Sequence, residues 1–155
     1  MTASIVERES FLVCRVGALA CAVPLRQVIE TMRPLPTETM SGAPAFVTGL
    51  ALIRGEAVPV VDAGLLVGGC AGEPTRLVTL RVGGRTVALA VDLVVGVVRL
   101  LPSSLGELPP LLEGADVQSV SSVGRLDAEL LVVLQSGRIL PESTWAELAP
   151  RESQL

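Results

Sequence analysis

A chain of 155 residues suits one ordinary domain, or two small halves around a common core, and can bury about 70% of its unfolded surface. Half of the residues are apolar but only three are aromatic (Phe11, Phe46 and Trp145), and His, Lys, Tyr and Asn do not occur, which removes the usual general base, the phenolic acid and both Schiff-base and Walker lysines. A net charge of −4 with no basic run, and so few rings for base stacking, excludes a nucleic-acid platform.

The first ten residues, MTASIVERES, are polar and charged with no apolar h-region, so no secretory signal is expected and residues 1–9 are expected to fray. Phe11–Val16 and Leu19–Val23 read as two strands across the tight turn Gly17-Ala18. A second hairpin joins Leu50–Ile53 to Ala57–Val61 through a tip at Arg54-Gly55-Glu56. The unbroken apolar run Val58-Pro-Val-Val61 predicts a strand buried on both faces. Gly64–Gly72 holds four glycines but neither GxGxxG nor a GK[ST] ending, and reads as a flexible connector rather than a phosphate loop.

Leu77–Val82 and Thr86–Val91 flank Gly83-Gly84, a standard two-residue hairpin loop. The most apolar stretch, Val87–Leu101, is under 18 residues and contains Asp92 and Arg99, too short and too charged to insert in a bilayer. Residues 103–116, with Pro109-Pro110, form the expected long loop. A fourth hairpin joins Val120–Leu126 to Leu130–Leu134 across Asp127-Ala128-Glu129. Ser143–Ala149 reads as a C-terminal helix with a capping box from Thr144 to Glu147, a stop at Pro150 and an anchor in Trp145; residues 150–155 are expected to fray. Together these features predict a soluble, cytoplasmic protein.

The hairpins pair up as a repeat. Shifting the chain by 66 lays Phe11–Pro36 on Leu77–Pro102 without a gap, with eight of the 26 positions identical, among them Arg15/Arg81, Gly17/Gly83, Ala22/Ala88 and Val28/Val94. A shift of 73 lays Thr48–Asp62 over Ser121–Gln135, hairpin on hairpin, with Glu56/Glu129 and Val60/Val133 the two identities. The period exceeds the solenoid range and predicts two similar β units, near 11–62 and 77–135, whose short strands close into small barrels to remove exposed edges.

Little of this chain suggests catalysis. Val60-Val-Asp-Ala-Gly64 has the outline of an aspartic-protease turn, with Asp92 as the second carboxylate, but Ala63 stands where a hydroxyl residue is needed. The structural reading is that Asp62 and Asp92 end strands and accept turn hydrogen bonds. Ser103-Ser104 and Ser121-Ser122 have no His or Lys to activate them. Cys14, Cys21 and Cys70 are widely spaced without a CxxC or His partner, so no zinc site is expected and free thiols packed as small hydrophobes are. No metal and no cofactor is predicted. Arg54 differs: it sits at a hairpin tip among apolar residues, and Glu30, within Gln27-Val-Ile-Glu-Thr31, is a natural acidic partner. Val28-Ile29 and Val94–Val98 supply more apolar surface than one strand face requires, consistent with core or with a partner groove. A ligand-binding β-barrel sensor, or an acid protease using Asp62, are the competing readings.

The order of Phe11-Leu-Val, Ala22-Val-Pro-Leu-Arg-Gln-Val-Ile-Glu30, Pro44-Ala-Phe-Val-Thr-Gly-Leu-Ala-Leu-Ile-Arg-Gly55 and Val58-Pro-Val-Val-Asp62 resembles the CheW-like family. Thr75-Arg-Leu-Val, the run Val87–Val98 and Val123–Leu134 continue the resemblance, which covers about residues 10–141. It implies an all-β fold, two small five-stranded SH3-like β-barrels sharing a hydrophobic core with a short C-terminal helix, in a single domain over 10–149. It also implies a non-catalytic chemotaxis adaptor that links the cytoplasmic tips of chemoreceptors to the regulatory domain of a CheA-type histidine kinase and is recruited to receptor arrays. Carried over by position, Val28, Glu30, Gly49, Arg54 and Val97 fall where the family's receptor and kinase contacts cluster. Two departures, Leu52-Ile-Arg-Gly in place of Asn-Leu-Arg-Gly and Gln135 where Asp is common, point to a divergent member serving an alternative chemosensory pathway.

Overall fold

The computed structural model describes residues 8–68, 73–101, 120–126, 129–134 and 138–146. Among the described residues ten strands follow in chain order: β1 (Glu9–Val16), β2 (Leu19–Pro24), β3 (Val28–Met32), β4 (Val47–Ile53), β5 (Glu56–Asp62), β6 (Arg76–Val82), β7 (Arg85–Val91), β8 (Leu93–Leu100), β9 (Val120–Leu126) and β10 (Glu129–Leu134). A helix, α1 (Ala63–Gly68), separates the first five from the second five, and residues 142–146 are helical. The strands form two five-stranded sheets, ordered β8-β1-β2-β10-β9 and β3-β6-β7-β5-β4. The mostly-β, two-sheet architecture expected from the sequence is present.

Adding five to each strand number converts one sheet order into the other, so the sequence repeat is also a repeat of topology. The exchange between repeats is what the sequence does not announce. Each sheet takes the leading hairpin of one repeat and the remaining three strands of the other. The irregularities repeat too. The β3–β6 ladder skips Ile29 and the β1–β8 ladder skips Val95, 66 residues on; the β4–β5 ladder skips Thr48 and the β9–β10 ladder skips Ser121, 73 residues on. These are the two shifts found in the sequence. Bulges bend a strand and increase its twist, so both sheets are bent at equivalent positions.

Period-two burial explains the apolar runs. On β1 and β2, Leu12, Cys14, Val16, Cys21 and Val23 enter a core shared by both sheets, while Phe11, Val13, Ala20 and Ala22 enter a cluster drawn from one sheet only. On β6 and β7, Val78, Leu80, Val87 and Leu89 enter the shared core, and Leu77, Ala88 and Ala90 face a second single-sheet cluster with Val58 and Val60. Strands buried on both faces need no polar alternation, as Val58-Pro-Val-Val61 suggested. The single-sheet clusters mix Ala51, Ala88, Ala90, Ala20 and Ala22 with larger side chains such as Ile53, Leu77, Phe11 and Leu131. Pro59 is tolerated because the parallel β5–β7 ladder starts at Val60, beyond the missing N–H.

Three local expectations change. The β4–β5 connection is a two-residue turn, with Glu56 already in β5 and paired to Ile53. Residues 64–68 of the expected connector belong to α1: Asp62 Oδ1 accepts the Leu65 N–H at 3.2 Å, and burial of Leu66 and Val67 in the shared core offsets the poor helix propensity of glycine. The C-terminal helix starts at Glu142, so Thr144 lies inside it, buried, with its N–H on the Pro141 carbonyl at 3.0 Å, and does not act as the cap. Trp145 does pack against the shared core, and Arg85 stacks on its ring 5.0 Å from the centroid while bonding Glu142 at 2.7 and 3.1 Å. Residues 103–116, Cys70 and the Asp127-Ala128 turn lie outside the described residues. No described helix is long and apolar enough to cross a membrane.

Candidate functional site

Arg54 and Gly55 form the β4–β5 turn with φ of 52° and 79°, the pair of left-handed residues that a type I′ hairpin turn requires. Arg54 is the only non-glycine residue with positive φ among the described residues. Such a conformation is uncommon for a long side chain and concentrates at functional positions. From the tip, the guanidinium reaches β3 and binds the Glu30 carboxylate in bidentate fashion, Nε to Oε2 at 2.9 Å and Nη2 to Oε1 at 2.7 Å. The Arg54 side chain is 75% exposed and that of Glu30 28% exposed. The hydrogen bonds from Arg54 hold the Glu30 carboxyl below the usual glutamate range and raise Arg54 in turn.

Glu30 is placed by the bulge. Skipping Ile29 leaves local backbone groups out of the ladder, and the Thr79 hydroxyl supplies both partners: it accepts the Glu30 N–H and donates to the Glu30 carbonyl, each at 3.2 Å. Thr79 is only 1% exposed, which explains a polar residue within Leu77-Val-Thr-Leu80. The ion pair lines an open groove of about 260 Å³, together with Ile29, Ile53, Val58, Thr79 and Arg81. A second open cleft of about 370 Å³ adjoins it, between the β4–β5 turn, the β6–β7 turn and Trp145. Glu56 and Thr86 line both. These volumes sit near the low end for small-molecule pockets, which run to about 1,000 Å³.

Glu30 and Arg54 therefore meet, and the other three candidates stand apart. Val28 is half-buried, packed against the shared core two residues before Glu30. Gly49, at φ 155°, lies under the chain that leads into β4: a Cβ there would stand 2.2 Å from the Glu38 carbonyl oxygen, where Glu38 and Leu50 exchange two backbone hydrogen bonds of 2.8 Å. Its role in the fold is close backbone approach. Val97 is in the other sheet, exposed on the edge strand β8. Thr79 and the bulge at Ile29 were missed in the sequence; a lone hydroxyl in an apolar run was the available signal.

The remaining candidates for chemistry have local partners. Asp62 caps α1, and Asp92 Oδ2 accepts the Gly17 N–H of the β1–β2 turn at 2.7 Å, so the two carboxylates serve separate elements. Cys14 and Cys21 face each other across β1 and β2, free and buried. Hydrogen bonding to Cys14, then burial, pushes the Cys21 thiol well up. Among the described residues no cluster of acidic, Cys or His side chains is arranged to hold a metal ion.

Three comparisons bear on this arrangement. The chain is 25% identical over 130 residues to the chemotaxis protein CheW of Rhizobium meliloti, covering 82% of this chain and 84% of that protein. It is 33% identical over 109 residues to protein FrzA of Myxococcus xanthus, covering 68% and 67%. The crystal structure of the scaffolding protein TtCheW from Thermoanaerobacter tengcongensis superposes with a TM-score of 0.71 at 19% identity, over 83% of this chain and 89% of that one, a likeness of fold. The family model of the CheW-like domain matches residues 10–144, and the chain belongs to the CheW-like domain family.

Proposed function

We propose that this protein is a non-catalytic chemosensory adaptor. It couples the signalling tips of chemoreceptors to the regulatory domain of a CheA-type histidine kinase, in the cytoplasm and recruited to receptor arrays. The observation that carries this reading is the Glu30–Arg54 pair, with Arg54 at positive φ, on a groove that combines apolar Ile29, Ile53 and Val58 with charged Glu56 and Arg81. A bidentate arginine clamp at the rim of a groove is a means of fixing orientation against a partner, whereas a structural ion pair so exposed adds little to stability. Membership of the CheW-like family, and relatives whose names include a chemotaxis protein and a scaffolding protein, support the same class of activity.

In this reading the groove takes an apolar ridge of the receptor helix tip, with Arg54 and Glu30 as polar anchors. Val28 and Gly49 hold β3 and β4 in place behind them. Val97 gives the molecule a second contact face, on the other sheet. Each contact would bury about 800 Å² per partner or less, suited to reversible association, and the kinase is then controlled by geometry rather than by chemistry on the adaptor. Co-sedimentation with receptor and kinase tests the reading: Arg54→Asp abolishes it while the protein stays folded, and intact co-sedimentation of that variant overturns it.

A further inference from the structure

Thr86 sits where the two cavities meet. It and Glu56 line both, so the groove at Glu30–Arg54 and the cleft at Trp145 form one continuous trough along the first residues of β5 and β7. The Thr86 hydroxyl oxygen is shielded from solvent and has no hydrogen-bond partner among the described residues. Thr79, on the neighbouring strand, is the contrast: its hydroxyl bonds the Glu30 backbone twice. A shielded hydroxyl without a partner is destabilising, and valine would fill the same space in the strand without that cost. The fold does not use the Thr86 hydroxyl, and its position at the junction of two open cavities gives it to a partner.

The charges of the trough select what fits it. Arg54 is bound to Glu30 at 2.7 Å, Arg81 lies 3.9 Å from Glu56, and Arg85 is bound to Glu142 at 2.7 Å. Each charge is matched by its opposite, so the trough offers Ile29, Ile53, Val58, Ala57 and half-buried Trp145 between neutralised pairs and does not favour an ion. We infer that the receptor helix seated in the groove continues past Thr86 to Trp145, and that it brings an uncharged polar side chain, such as a carboxamide, to the Thr86 hydroxyl. This rests on the adaptor reading and names the chemistry of the partner: an apolar helix ridge interrupted by one uncharged polar residue. Thr86 then sets specificity. A carboxamide placed there gains a hydrogen bond that an apolar group forgoes, while a charged group loses its water and meets no free counter-charge. Trp145 closes the far end as a rigid aromatic contact.

Trp145 is the single tryptophan of the chain and tyrosine is absent, so its emission reports this cleft directly. The test is a titration of the full chain with a receptor cytoplasmic domain free of tryptophan, read by Trp145 emission and by co-sedimentation. The wild type is expected to bind with a saturable shift in emission. Thr86→Val is expected to raise the dissociation constant about tenfold, as for one lost hydrogen bond, while its urea midpoint equals or exceeds that of the wild type; Thr86→Ser is expected to keep the affinity. A hydroxyl with a merely structural role would lower stability and affinity together. Binding that leaves Trp145 emission unchanged, unaltered affinity in Thr86→Val, or a fall in that variant's stability overturns the inference and leaves the adaptor reading standing. A wild-type chain that does not bind the receptor domain overturns both.

Discussion

Arg54 and Glu30 join opposite edges of one sheet. Glu30 is on β3, the first strand in spatial order, and Arg54 is at the end of β4, the last, and their two hydrogen bonds of 2.9 and 2.7 Å span the mouth of the curved sheet. An exposed pair in this position fixes the shape of a groove more than it stabilises the fold. That distinction separates the outcomes below.

The first consequence concerns protonation. Arg54 holds Glu30 below its ordinary value, which is about 4.3 for a free glutamate. A carboxylate whose folded-state value is depressed contributes above the ordinary range and loses that contribution as pH falls through the depressed value. The pair is therefore complete at neutral pH and opens only in acid. An NMR titration of the Glu30 carboxyl should show a midpoint below that of the same group in Arg54→Gln; equal midpoints would mean that the pair does not persist in solution.

Thr79 is expected to matter out of proportion to its size. Thr79→Val keeps the shape but strips both hydrogen bonds from the Glu30 backbone, at a cost of about 1–3 kcal/mol. Thr79→Ser retains the hydroxyl and should recover most of that. Equilibrium urea unfolding of the two variants distinguishes a lost hydroxyl from a lost methyl group.

Gly49→Ala is expected to act through the fold rather than through a partner. The added Cβ at 2.2 Å from the Glu38 oxygen forces the two-hydrogen-bond bridge apart, and the backbone conformation alone costs about 1–3 kcal/mol. Loss of amide protection at Glu38 and Leu50, measured by hydrogen exchange, is the predicted signature. A variant with normal protection and impaired partner binding would make Gly49 a contact residue instead.

The thiols of Cys14 and Cys21 should be inert in the folded protein. Both are buried, and Cys21 is pushed away from the reactive thiolate by its hydrogen bond to Cys14 and by burial. Labelling with a thiol reagent should proceed at these two sites only at the rate of unfolding; rapid native-state labelling would contradict the packing described.

Much of this was legible because the chain marks its turns. Gly17, Gly55 and Gly83 each sit in a hairpin turn at positive φ, so local chemistry alone placed the hairpins. The repeat at shifts of 66 and 73 reappears residue for residue as paired bulges, at Ile29 and Val95 and at Thr48 and Ser121. The exchange of strands between repeats was not legible. Val28–Met32 and Leu93–Leu100 carry no local sign of which hairpin they join, since pairing β3 to β6 and β8 to β1 is a long-range choice made by the shared core. For the same reason the nearness of Glu30 and Arg54 could be suspected from charge, while the groove around them needed five strands to be in register.

The most direct test of the adaptor account pairs Arg54→Asp with the charge-exchanged variant Arg54→Glu/Glu30→Arg in co-sedimentation with the receptor cytoplasmic domain and the kinase. The account predicts that both variants fold, with cooperative unfolding close to the wild type, and that both are lost from the receptor–kinase pellet because the partner reads Arg54 itself. Full recovery in the charge-exchanged variant would reduce the pair to a structural latch. Wild-type co-sedimentation of Arg54→Asp would contradict the account.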